Sequence, residues 1–152
     1  MPLPLGEFAD KLNRIMPVIM IEFLRRNADE LSKGKITPSQ LLTLSFLNEK
    51  GESRMTDLAG FMKVSTAAMT GVVDRLVRDA YALRVFDPQD RRIIKVRLTP
   101  KGAELIKRIN RQKRNMIVNI FGKISDSERQ DYLRILTRIQ DVLTKENEVS
   151  LS

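Results

Sequence analysis

The fold is decided by the stretch Asp87-Pro88-Gln89-Asp90-Arg91-Arg92-Ile93-Ile94-Lys95-Val96-Arg97-Leu98-Thr99. Ala82 to Phe86 alternates toward a turn loaded with Asp, Pro and Arg, and a second alternating segment returns from it. This pattern predicts a β-hairpin with strands over 83–86 and 93–98 and arginines at its tip.

Working upstream, Leu58 to Val72 has the spacing of two helices joined by a tight turn. A short helix is expected over 55–62, with Leu58, Ala59 and Met62 inward and the small Ala59 allowing a close crossing. Lys63-Val64 makes the turn, with Val64 as a core plug. Ser65 caps a helix over 66–79 whose apolar stripe is Met69, Val72, Val73 and Leu76. The opposite face presents Ser65, Thr66, Ala67, Thr70 and Gly71, small enough to fit a helix N-terminus into a DNA major groove. Two packed helices with a solvated face have the same spacing, so the pattern decides only together with the hairpin, which makes it a winged helix.

Thr37-Pro38-Ser39-Gln40 opens another helix with a capping box and a first-turn proline, ending near Gly51. A polar loop is expected over 27–36. Residues 7–26 read as a first helix, apolar on nearly all faces, with Pro17 expected to kink or split it. Thr99-Pro100 starts a long helix reaching Phe121, and a last helix covers about 126–147 with Leu133, Leu136, Ile139 and Leu143 on one face.

The 152 residues suffice for one domain with its own core. The net charge of +8 is concentrated in the middle of the chain. Residues 1–53 balance seven basic against seven acidic residues, whereas 54–102 hold ten against five and 103–124 six against one. Such a surplus suits nucleic acid or another anionic surface. With no Cys and no His, disulfides, zinc fingers, thiol switches and Cys or His catalysis are excluded. The chain has no nucleophile–base pair, phosphate-cradling glycine loop or acidic metal cluster, and no enzyme is expected. The apolar run Ile15–Ile21 is too short to span a bilayer, which needs roughly 20 residues. No signal peptide is recognised, and a cytoplasmic protein is expected.

Asp90-x-Arg92, then Leu98-Thr99 and Gly102, with Asp74-Arg75-Leu76 and Leu58-Ala59 upstream, resemble the wing signature and flanking motifs of the MarR (multiple antibiotic resistance regulator) family. The resemblance extends over nearly the whole chain. It implies a single mainly α domain over 1–152: a winged helix-turn-helix over about 37–100, with dimerisation helices over about 7–26 and 101–147. The implied protein is a bacterial or archaeal, nucleoid-associated regulator that binds double-stranded DNA in a sequence-specific manner. It would act as a homodimer on a pseudo-palindromic operator, most often as a repressor released by a small aromatic or phenolic effector, with no other cofactor.

In that picture Arg92, oriented by Asp90, reaches the minor groove, and the helix bearing Ser65, Thr66, Ala67, Thr70, Gly71 and Arg75 enters the major groove. Arg91 belongs to the wing, and Lys63, Lys95 and Arg97 are phosphate contacts. Leu12, Ile15, Ile19 and Phe23, with Leu133, Leu136, Ile139 and Leu143, form the dimer interface. Many family members carry Arg where this chain has Gly71. A basic run on the fifth helix (Lys107, Arg108, Arg111, Lys113 and Arg114) reads as a solvated face. A winged helix used for protein assembly, or for non-specific DNA binding, is the competing reading.

Overall fold

A computed structural model describes residues 1–26 and 35–149 of the chain, with side chains described through residue 146. Apart from Lys35 and Ile36, the loop expected over 27–36 lies outside the described residues. Among those described, the elements run α1 (Leu5–Arg26), α2 (Pro38–Lys50), β1 (Ser53–Arg54), α3 (Met55–Met62), α4 (Thr66–Arg78), β2 (Ala82–Phe86), β3 (Ile94–Leu98), α5 (Pro100–Phe121) and α6 (Asp126–Val149). The chain divides within α5 into two compact units, one through Lys113 and one from Arg114 onward.

The helix boundaries follow from local chemistry. Thr37 Oγ1 accepts from Gln40 N at 3.2 Å while Gln40 Oε1 accepts from Thr37 N at 2.8 Å, and Pro38 loses no intrahelical bond in the first turn. Gly51, at φ 79°, closes α2. Ser65 Oγ accepts from Ala68 N at 3.1 Å to start α4. Thr99 Oγ1 accepts from Gly102 N at 3.0 Å to start α5. Ser125 and Glu128 form a second reciprocal box at the head of α6.

The core of the first unit is built from α2, α3, α4, β3 and the first half of α5. Leu44, Leu58, Met69, Val73, Leu76, Val96, Ile106 and Ile109 are fully buried. Gly102 shows how tightly α5 meets the end of α4. A Cβ there would lie 1.9 Å from the Tyr81 carbonyl oxygen, which itself accepts from Thr99 N at 3.1 Å.

Three expectations need correction and a fourth is narrowed. The hairpin belongs to a three-stranded antiparallel sheet in the order β1-β3-β2, because Ser53 and Arg54 pair with Val96 and Lys95 along the free edge of β3. Its second strand begins at Ile94, since the Ile93 amide turns back to bond Asp90 O. Of the kink or split expected at Pro17, the split does not occur, because α1 is continuous through it. Val64 is no core plug: it follows Lys63, the left-handed residue that ends α3, and lies 40% exposed, while Leu58 and Ala59 take the buried positions.

α1 has no buried residue in the single chain. Leu12, Ile15 and Ile19 are exposed and Phe23 half-buried. In the second unit α6 likewise exposes Leu133, Leu136, Ile139 and Leu143.

Candidate nucleic-acid interface

The helix-turn-helix is formed by α3 and α4, joined where Lys63 adopts φ 53° and ψ 43°. Met69, Val73 and Leu76 anchor α4 in the core. Ser65, Thr66, Ala67, Thr70, Gly71 and Arg75 are all exposed. Thr70 Oγ1 donates to Thr66 O at 2.9 Å, so outward it offers a methyl and an acceptor rather than a donor. Nothing lies within 4 Å of a Cβ built at Gly71. Arg75 makes no ion pair among the described residues, whereas Arg78 grips Asp79 through Nε–Oδ1 at 3.0 Å and Nη2–Oδ2 at 3.2 Å. Asp74 pairs with Arg84 of β2 at 2.5 Å, not with Arg75.

The wing is shaped by two carboxylates. Asp87 Oδ1 accepts from the Gln89 and Asp90 amides at 2.9 and 3.3 Å, and its Oδ2 lies 3.2 Å from Lys95 Nζ. Chiefly the Gln89 amide, then Lys95, holds the Asp87 carboxyl below its ordinary pKa. Asp90 Oδ1 accepts from the Arg92 amide at 3.0 Å and from Arg92 Nε at 3.1 Å, with Arg92 Nη2 at 3.4 Å from Oδ2. The Arg92 side chain is nonetheless 91% exposed. A fork clamped on one side and open on the other is aimed outward at no further conformational cost.

The other predicted cations divide. Arg91 and Lys63 are exposed and make no ion pair among the described residues. Lys95 is committed to Asp87 inside the turn. Arg97 sits 3.9 Å from Glu52 and remains largely exposed.

Between the heads of α3 and α4 and the wing lies a cleft of about 400 Å³, lined by Arg54, Met55, Thr56, Thr66, Thr70, Arg84, Arg92, Ile93 and Ile94. It brings recognition-helix threonines and the wing arginine onto one surface. It adds Arg54, Thr56 and Arg84, which sequence reasoning did not select. A two-residue strand has no periodicity to announce Arg54, and Arg84 occupies an ordinary strand position. No group of acidic residues suited to a metal ion occurs among the described residues, and none of their helices is long and apolar enough to cross a membrane.

A buried helix pair, an outward-facing second helix with a small-residue surface and an arginine-tipped wing make up a winged helix-turn-helix. The MarR family model matches residues 36–94. An uncharacterized HTH-type transcriptional regulator of Bacillus subtilis, YsmB, is 26% identical over 137 residues, covering 90% of this chain and 93% of YsmB. The HTH-type transcriptional repressor MdtR of the same organism is 32% identical over 74 residues, 49% of this chain and 48% of MdtR. The fold is shared with Streptococcus pneumoniae FabT, solved in complex with DNA, at a TM-score of 0.75, 22% identity, and coverage of 92% of this chain and 97% of that one. The chain is a transcriptional regulator similar to those of the MarR family.

Proposed function

We propose that this regulator is a repressor that binds a pseudo-palindromic operator as a homodimer, with α4 in the major groove and Arg92 in the adjacent minor groove. The observation that carries this reading is the Asp90–Arg92 clamp beside the exposed face of α4. Small residues at the head of α4 admit the helix to the groove, its N-terminal dipole favours phosphate, and a pre-aimed guanidinium suits a narrow A·T-rich minor groove. Arg91, Lys63, Arg75, Arg54 and Arg97 supply the surrounding phosphate contacts. Lys95 serves the wing's shape instead.

Dimerisation is supported by the exposed apolar faces of α1 and α6, which a single chain leaves in water. Two half-sites would lie about one helical turn apart. Release by a small aromatic or phenolic effector completes the proposed cycle, which takes place on the nucleoid in the cytoplasm.

Fluorescence anisotropy tests the proposal, using DNA from immediately upstream of the gene, unrelated DNA of equal length, and two salt concentrations. Selective binding that weakens steeply with salt is expected, because each phosphate contact releases counterions. Absence of binding to either DNA, or a flat salt response, would overturn it.

A further inference from the structure

Thr66, Thr70 and Asp74 recur every fourth residue and so share one stripe of α4. The two threonines line the cleft. At the third position Asp74 Oδ1 accepts from Arg84 Nη2 at 2.5 Å. Arg84 lies on β2 opposite Val96, a fully buried residue of β3. Beyond Arg84 the strand continues through Val85 to the exposed Phe86 and into the loop that carries Arg92. The pair therefore bridges recognition helix and wing at the point where the wing leaves the core.

We propose that the Asp74–Arg84 ion pair is a positioning device: it fixes the wing against α4, so that Arg92 and the head of α4 reach two grooves of one DNA segment together. This rests on the reading of α4 and Arg92 as the two DNA-contacting elements. Asp74 and Arg84 have side-chain exposures of 60% and 28%, and pairs so open to water add little to global stability. A short charge-assisted bond does impose direction and distance. The fold is already held by the buried residues of α4 and β3, so what remains for the pair to set is the placement of the wing. Arg84 also borders the cleft, so DNA phosphate is the rival claimant for its guanidinium.

The test is a mutant cycle on operator affinity in the full chain, read with thermal melting. Asp74→Asn is expected to weaken binding about tenfold with an unchanged melting temperature. Combined with Arg92→Ala it should add little to the loss from Arg92→Ala alone, because a wing out of place has already lost that contact. Unchanged binding by Asp74→Asn, or strictly additive losses, would overturn the proposal, and tighter binding would overturn it in favour of Arg84 as a phosphate ligand that Asp74 screens.

A second readout needs no DNA. The chain has no cysteine, so spin labels at Ala68→Cys and Gln89→Cys, diluted into unlabelled protein, report the distance from helix to wing. That distance should broaden with Asp74→Asn and shift with the longer Asp74→Glu, and an unaltered distribution in both would sink the idea. If Arg92→Ala leaves affinity untouched, the minor-groove reading of Arg92 fails instead, and the label distances still decide whether the pair positions the wing.

Discussion

Arg92 is the residue on which the interface is expected to depend most. Its guanidinium is held by Asp90 and still faces water, so replacing it removes a pre-aimed contact without disturbing the core. Arg92→Ala is expected to cost about 1–3 kcal/mol of operator affinity, the scale of one good groove contact, with the fold intact by circular dichroism. Asp90 and Arg92 were legible in the sequence because a turn places residues two apart side by side. The partner of Asp74 was not, since Arg84 stands ten residues away and only the closure of β2 on α4 unites them. Gly71 offers the converse experiment. The space around it is open, so Gly71→Arg is accommodated on the exposed face of α4. It should tighten binding and steepen its salt dependence by roughly one phosphate contact. Titration at several salt concentrations checks this, and an unchanged slope would place position 71 away from the backbone of the DNA.

At the scale of elements, capping and periodicity announced most helices within a few residues, because Thr37, Ser65 and Thr99 each satisfy first-turn amides from their own side chains. What escaped was decided by neighbours. The strand Ser53–Arg54 exists because β3 offers it an edge. Lys63 and Ala80 adopt φ of 53° and 63° where a glycine would have signalled the left-handed turn. Gly102 stood out as a motif residue, while its reason, the Tyr81 carbonyl in its place for a side chain, belongs to the packed structure. The wing loop carries its own pH dependence. The Asp87 carboxyl is stabilised as the anion by the Gln89 amide and then by Lys95. The folded state therefore binds its proton less readily than the unfolded chain. The contribution is fully present above the ordinary aspartate range near pH 4 and drains away as pH falls through the depressed folded value. Asp87→Asn should remove that part of the acid limb, so an NMR titration of the Gln89 and Asp90 amides is expected to flatten in the variant. Persistence of the same titration would assign it to another carboxylate.

At the scale of the whole molecule, the charge distribution and the apolar terminal helices carry the remaining weight. The excess positive charge of residues 54–102 includes the wing and the cleft arginines, so the field that draws DNA in surrounds the groups proposed to read it. The terminal faces are a different matter. Leu133, Leu136, Ile139 and Leu143 recur at helical spacing on α6 and remain in water, and a shallow groove of about 340 Å³ runs along Ile135, Ile139, Val142 and Leu143 beside Arg134 and Arg138. Exposed apolar area of this kind is stabilising only when a partner covers it, at roughly 25 cal/mol for each Å² removed from water. Leu136→Asp with Ile139→Asp places two charges in the middle of that stripe without touching the buried core of the first unit. Sedimentation equilibrium should then find monomers for the variant and dimers for the unaltered chain. Operator binding should fall by far more than the loss of either groove contact, because two half-sites can no longer be engaged by one particle. Melting of the helix-turn-helix should change little, since its core lies in another part of the chain. A variant that stays dimeric would move the interface off α6, and a monomer that keeps full operator affinity would show that one winged helix suffices to hold the DNA.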